Sequence, residues 1–395
     1  MPDGALAPGR PPLATVVREW GRIGCLGFGG PPTHIALLRD LCVDRRGWLS
    51  AAEFEDAIAA CNLLPGPAST QLSIYCAWRV RGRAGAVAGG LAFIVPGLVL
   101  ILALAALFLA GSPPLWARGA GAGAGAAVAA VATHAGRGLL DGSRRRARTT
   151  SLVRWAVYLA AGGVAAATVG PWLVLVLLAC GATELAVWRA ARRRSSADLL
   201  GVGPVPPLAT VAAAGAAGAG LASVAWVAIK VGALSYGGGF VIVPLMQSDA
   251  VDRYHWMSTG EFLNAVALGQ ITPGPVVQTV AAVGYAAAGV GGGLLAAAVA
   301  FSPSFAFVLL GGHHFDRIRG DERARAFLDG AGPAAIGAIF GSTIPLAANL
   351  AELWQYAVLA GAAVALLALR RGVVPTLLTA AAVGAAVALA GGPLP

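Results

Sequence analysis

Arg22 and Lys230 stand in stretches that are otherwise mostly apolar, and Lys230 is the only lysine in the chain. A cation at membrane depth marks a candidate functional site, because its desolvation must be offset by a partner or a ligand. Near each cation the sequence also offers uncharged groups that suit an anion. Gly27-Phe28-Gly29-Gly30-Pro31-Pro32 and Ser235-Tyr236-Gly237-Gly238-Gly239 cannot continue a smooth helix, nor can Pro65-Gly66-Pro67 and Pro273-Gly274-Pro275. Proline removes a backbone donor, and glycine admits conformations closed to other residues. A half-helix that starts at such a break presents free N–H groups and the positive end of its dipole. Amides and hydroxyls gather there: Asn62, Ser69, Thr70 and Gln71, then Gln270, Thr272, Gln278 and Thr279. The chemistry these types support is anion binding.

Other chemistries lack their residues. No paired carboxylate or Ser-His arrangement stands in the apolar segments, which argues against an enzyme, including an intramembrane one acting on a lipid or phosphate ester. The five cysteines and five histidines form no metal-ligand spacing, and no G-x-x-x-x-G-K-[ST] loop is present, so neither metal nor cofactor is expected. Glu53 and Glu261 each follow a serine by three residues, as Ser50-Ala51-Ala52-Glu53 and Ser258-Thr259-Gly260-Glu261, which reads as a capping box before it reads as a proton carrier. Asp44-Arg45 and Asp252-Arg253 read as loop salt bridges or turn-forming pairs near the surface, with Trp48 and Trp256 as interface anchors.

The candidates recur because the chain repeats itself. Arg22 to Tyr75 aligns without a gap with Lys230 to Val283, an offset of 208 that superposes the glycine runs, the Pro-Gly-Pro triplets and the Ser-x-x-Glu motifs. A repeat of 1–195, a linker and connecting span of 196–222 and a second repeat of 223–395 follow. Gly203 to Trp226 supplies the one added crossing that inversion of the second half requires.

The elements that position these residues are membrane helices. Of 395 residues, 57% are hydrophobic and 12% charged, half the charge of an ordinary soluble chain. Stretches such as Ala84–Ala110, Leu152–Val169, Pro171–Trp188 and Val373–Ala390 approach the ~20 residues a helix needs to cross hydrocarbon. The net charge of +10 resides in arginine runs between them without aromatic interleaving, so it reads as a topology signal and not as a nucleic-acid surface. The basic run Arg79, Arg81, Arg83 has an uncharged counterpart at Gly289–Gly292. The sparsely charged stretch from Gly111 to Arg118 has a basic counterpart at Arg317, Arg319, Arg323 and Arg325. Under the positive-inside rule the halves are inverted, with the N-terminus cytoplasmic. The expected fold is an all-α integral membrane protein of two inverted-topology repeats, with about nine full spans, two broken or re-entrant segments per half and about 10–13 hydrophobic segments in all.

Gly24-Cys25-Leu26-Gly27-Phe28-Gly29-Gly30, Gly232-Ala233-Leu234-Ser235-Tyr236-Gly237-Gly238-Gly239 and the repeated Pro-Gly-Pro resemble the chromate ion transporter family in its long, two-domain form. The resemblance covers nearly the whole chain. It implies a multi-pass protein of the inner (cytoplasmic) membrane that exports chromate by alternating access, an antiporter that confers chromate resistance. Chromate is a tetrahedral dianion shaped like sulfate, so a sulfate or other oxyanion carrier with the same site is the alternative. Arg22 and Lys230 would neutralise the dianion. Gly29, Gly30, Gly237, Gly238, Asn62, Pro65, Gly66, Pro67, Ser69, Thr70, Gln270, Thr272, Pro273, Gly274, Pro275 and Gln278 would bind its oxygens. Membrane lipids, a coupling proton or counter-anion and a homodimeric partner fit this picture; nucleic acid does not. Pro31-Pro32 meets Gly239-Phe240 in the other half, so the half-sites need not contribute equally.

Overall fold

A computed structural model describes residues 11–62, 64, 66–109, 113–146, 150–168, 173–195, 220–235, 242–311 and 321–395. Every element among them is helical: α1 (Leu13–Leu26), α2 (Pro31–Arg39), α3 (Ala51–Cys61), α4 (Ala68–Phe108), α5 (Leu115–Ala126), α6 (Val128–Arg146), α7 (Leu152–Thr168), α8 (Leu173–Ser195), α9 (Leu221–Leu234), α10 (Ile242–Gln247), α11 (Thr259–Ile271), α12 (Thr279–Gly311), α13 (Glu322–Ala348), α14 (Leu353–Ala363) and α15 (Val373–Leu389). The repeat is visible in the backbone. Wider π-helical turns extend α2 over Asp40–Arg45 and α10 over Ser248–Arg253, again 208 residues apart.

The capping boxes expected at Ser50 and Ser258 are both present. Each hydroxyl accepts the N–H of Glu53 or Glu261, whose carboxylate accepts the serine N–H in return. Asp44 and Asp252 are not the partners of the arginines that follow them: Arg45 donates to Asp40 at 2.7 Å, and Arg253 lies over the Tyr254 ring at 5.1 Å. A π-helical turn aims the Arg45 side chain back along its own helix, and adjacent residues do not face each other on a helix.

α1 and α2 form a hairpin that enters and leaves on one side. Arg46 donates to Glu19 at 2.8 Å and Trp48 stacks on Trp20 at 6.2 Å, so the chain beyond α2 has returned alongside α1. α3 and the start of α4 form a second hairpin, with Arg79 paired to Glu53 across its base and Gly66 at its tip. The chain then reverses sharply at Gly82, whose φ of +66° favours glycine. The arms of α4 pack so closely after this turn that a Cβ on Gly89 would lie 2.5 Å from that of Ala77. α12 reverses the same way at Gly289, with Gly284 against the Gly292 carbonyl.

Two bundles result, each built from both halves. α1–α4 and α9–α12 enclose the hairpin tips, with the long second arms of α4 and α12 packed antiparallel: Gly90 meets Phe305 and Gly293 meets Leu102. The other bundle contains α5–α8 and α13–α15. There Gly162 and Gly163 of α7 abut Ala334, Gly337 and Gly341 of α13, and Gly119 and Gly123 of α5 abut Gly384 of α15. Without a hydrophobic drive between helices in lipid, such close backbone approach supplies the van der Waals contact that holds spans together.

Among the described residues, four helices are long and apolar enough to cross a membrane by length and composition: Ala68–Phe108, Leu173–Arg192, Val276–Gly311 and Glu322–Ala348. The extra span expected over Gly203–Trp226 falls largely outside the described residues, and its last part, from Leu221, begins α9. Arg317 and Arg319 also lie outside them.

Candidate functional site

Each Pro-Gly-Pro tip docks on the other half of the chain. The Gly274 N–H donates to the Gly27 carbonyl at 3.1 Å, tying the tip of the second half to the glycine run after α1. Gln278, just past that tip, donates from Nε2 to the Ile94 carbonyl of α4 at 2.7 Å. Reciprocally, a Cβ on Gly66 would lie 3.2 Å from the Gly232 carbonyl oxygen of α9 and 3.5 Å from Ser304 Oγ of α12. Gly66 and Gly274 have φ of +116° and +98°, a region that L side chains rarely adopt.

The surroundings of the tips are polar and buried. Ser69, Thr70, Gln71, Gln278 and Thr279 are almost wholly enclosed, as are Ser235, Thr272 and Ser304. Thr70 Oγ1, Ser235 Oγ, Gln270 Nε2, Gln278 Oε1 and Ser304 Oγ have no hydrogen-bond partner among the described residues. Most buried polar atoms in proteins are paired. These hydroxyls and amides stand near both Pro-Gly-Pro breaks, where they could meet a polar guest. The Thr272 hydroxyl is taken by the Leu268 carbonyl at 2.9 Å.

The remaining candidates divide. Asn62 ends α3 and is half-buried, while Pro67 begins α4 and Pro273 and Pro275 flank Gly274 in the second tip. Gly29 and Gly30 have φ of +97° and +76° and lead into α2. Pro31 and Pro32 occupy the first helical turn of α2, so that helix start lacks two of the N–H groups an anion could use. Pro65, Gly237 and Gly238 lie outside the described residues.

The two cations do not point at the tips. Gly24 and Gly232 pack on the carbonyl oxygens of Phe93 and Ala300, and a residue two positions earlier is about 200° around the helix from them. Arg22 is exposed, with no ion pair among the described residues. Lys230 is 20% exposed and paired to Asp249, itself 4% exposed, with the Trp226 ring at 5.6 Å from Nζ. Lys230 thus already has a counter-charge. Leu41 stands at the equivalent of Asp249, so Arg22 has none.

His34 and Asp249 escape a reading of the sequence. His34 is completely buried, with Nε2 2.9 Å from the Gly27 carbonyl, Nδ1 3.3 Å from Ser69 Oγ and the Phe93 ring edge-on at 5.0 Å. A carbonyl only accepts, so Nε2 carries the hydrogen and Nδ1 accepts from Ser69. Ile242 is its repeat equivalent, so the repeat gave no signal. Asp249 lies 19 residues after Lys230 and pairs with it only through the turn after α10. Among the described residues no cluster could hold a metal ion, and all five cysteines are free, Cys25 exposed and the others buried.

Comparison with known proteins gives a consistent result. The chain matches the family described as Chromate transporter over residues 14–185 and 222–389. It is 31% identical over 340 residues to the chromate transport protein of Cupriavidus metallidurans, covering 85% of this chain and 82% of that protein. It is 31% identical over 343 residues to the chromate transport protein of Pseudomonas aeruginosa, covering 84% and 80%. A probable chromate transport protein of Synechococcus elongatus is 28% identical over 340 residues, covering 85% and 84%. No solved structure matches.

Proposed function

The chain belongs to the chromate transporter family, and on that premise we propose that it exports chromate across the cytoplasmic membrane by alternating access, binding the oxyanion around the two crossed tips. The observation that carries this reading is the crossed docking of the two tips, Gly274 on Gly27 and Gly66 on Gly232 and Ser304. A guest held there touches both halves. Movement of one half against the other then opens the guest to one side or the other.

We read the halves as inverted. Their equivalent arms in α4 and α12 run antiparallel, through Gly90 with Phe305 and Gly293 with Leu102. Arg192 of α8 pairs with Glu322, which puts the start of α13 at the arginine-rich end of α8. The start of α5, its repeat equivalent, follows the long arm of α4 to the other side. The arginine-rich ends are cytoplasmic by the positive-inside rule.

Binding at the tips relies on oriented dipoles. The unpaired Thr70 and Ser304 hydroxyls and the Gln270 amide can donate to oxyanion oxygens, and α4 begins at the tip, adding its positive dipole end. Lys230 and Arg22 contribute field and guide entry from the far faces of α9 and α1. A conformational change that exchanges Asp249 for the substrate would bring Lys230 into direct contact. Protons and a counter-anion are both compatible with this geometry as the coupled species.

The test is chromate uptake into inverted membrane vesicles containing the protein, with and without a pH gradient and with sulfate as competitor. Saturable chromate uptake that sulfate inhibits only weakly supports the reading. Equal competition by sulfate would make the chain a general oxyanion carrier, and absence of uptake at normal abundance would end the proposal.

A further inference from the structure

Helices α14 and α15 leave a groove of about 680 Å³ between them, walled by Trp354, Ala357, Gly361, Ala365 and Ala380, with Arg371 at one end. The two threonines on its α15 wall have no hydroxyl hydrogen left for a ligand: Thr376 donates to the Gly372 carbonyl and Thr379 to that of Pro375, both at 2.8 Å. The wall is therefore effectively apolar. At Gly361 it is also open, since nothing lies within 4 Å of where a Cβ would project.

The end of the groove has the opposite character. Arg370 and Arg371 are both exposed, and neither has an ion pair among the described residues. Arg370 has a φ of +53°, in the left-handed region where glycine is the usual residue after a helix. The turn is fixed in place by the Arg371 N–H, which donates to the Ala365 carbonyl at 2.8 Å. A long charged side chain kept where glycine would be easier, at the mouth of an apolar channel, points to a ligand with a charged head and a hydrocarbon tail. The surrounding surface is lipid-facing in character: Leu353, Val364 and Leu378 are 88%, 54% and 53% exposed.

We propose that this groove is a binding site for one anionic phospholipid, with its phosphate at Arg370 and Arg371 and one acyl chain laid along Ala365, Gly361 and Ala357 toward Trp354. Charge selects the head. Basic residues at the cytoplasmic surface attract anionic lipids, and the arginine fork matches a phosphate in geometry. Trp354, at the far end, donates from Nε1 to the Pro393 carbonyl at 3.0 Å, which fixes its ring beside the end of the tail. The proposal rests on the membrane placement of α14 and α15 and not on the identity of the transported ion.

The experiment is native mass spectrometry of the full-length chain released from detergent into equimolar phosphatidylglycerol and phosphatidylcholine with identical acyl chains. The wild type should retain phosphatidylglycerol in preference, by about fivefold per arginine. The double variant Arg370→Gln/Arg371→Gln should bring the two lipids to parity. Gly361→Phe should displace both, because its ring enters the open channel and not the protein interior. Thermal unfolding of Gly361→Phe close to that of wild type shows that the loss is local, and the arginine variant decides the matter should Gly361→Phe not fold. Equal retention of the two lipids by wild type overturns the proposal. So does unchanged retention by a folded Gly361→Phe, or light scattering that shows a dimer which Gly361→Phe converts to monomer, since a second copy would then fill the groove.

Discussion

The amide of Gly274 donates to the carbonyl of Gly27 at 3.1 Å, so the tip of a hairpin in one half is fastened to the glycine run of the other. The same carbonyl lies 2.9 Å from Nε2 of His34, whose Nδ1 reaches Ser69 at 3.3 Å. One carbonyl thus joins three of the broken segments, and His34 is the side chain that completes the junction.

His34→Ala should weaken transport by roughly tenfold or more at normal abundance. It leaves the Ser69 hydroxyl without its acceptor and removes one of two donors from the Gly27 carbonyl, and a buried group left unpaired costs about 1–3 kcal/mol. His34→Gln can still donate to Gly27 and should recover much of the activity, whereas His34→Leu, of similar bulk, should not. Chromate uptake at matched membrane levels separates them; equal activity of the leucine and glutamine variants would remove His34 from the junction.

Gly66→Ala and Gly274→Ala should each abolish or strongly reduce transport. Both glycines have positive φ, and the new methyl would lie 2.7 Å from Gln71 Nε2 in one case and 3.2 Å from Gln278 Nε2 in the other. Gly82→Ala is the control. Its φ is also positive, at +66° with ψ of −154°, but nothing lies within 4 Å of the added Cβ, so it should show only the backbone strain of about 1–3 kcal/mol. Thermal unfolding together with uptake distinguishes strain from damage at the tip.

Lys230→Gln alone should lower abundance, because it strands the Asp249 carboxylate in a site where that side chain is 4% exposed. Breaking a buried pair costs about 3–5 kcal/mol. Lys230→Met combined with Asp249→Leu should restore folding, since Leu41 already occupies the equivalent position in the first half. Transport by the refolded double variant then reads the role of the Lys230–Asp249 pair apart from its effect on folding: we expect it to be lost. Arg22→Gln has no carboxylate to strand and should impair transport without loss of protein.

The sidedness of the halves is open to labelling. Arg83→Cys and Val290→Cys, each one residue past a glycine that turns its helix back, should react with an impermeant thiol reagent from opposite sides of the membrane, in a background from which the five native cysteines are removed. Reaction from the same side would refute the inverted arrangement.

Much of this architecture is written locally. The capping boxes at Ser50 and Ser258 are four-residue signals that need no tertiary context, and both formed as expected. The breaks at Gly66 and Gly274 are equally local, because a glycine held between two prolines cannot sit inside a helix. The offset of 208 carried these features from one half to the other. It carried Arg22 and Lys230 as well, but the surroundings of the two differ: one cation is exposed and the other is paired to Asp249.

What the sequence by itself determined is which stretches are helix, where they break, that the pattern occurs twice, and that apolar composition sends them into a bilayer. These follow from backbone conformation and hydropathy, which each residue carries with it. Only the tertiary structure decided that the segments around the breaks fold back as hairpins, through Arg79 with Glu53 and Trp48 with Trp20, and that each tip crosses to the opposite half. His34 and Ser304 entered the site by that route, and Asp249 reached Lys230 in the same way. Their partners lie in other helices, and a side chain's partner across a helix interface depends on how whole elements pack, which no spacing within the chain encodes.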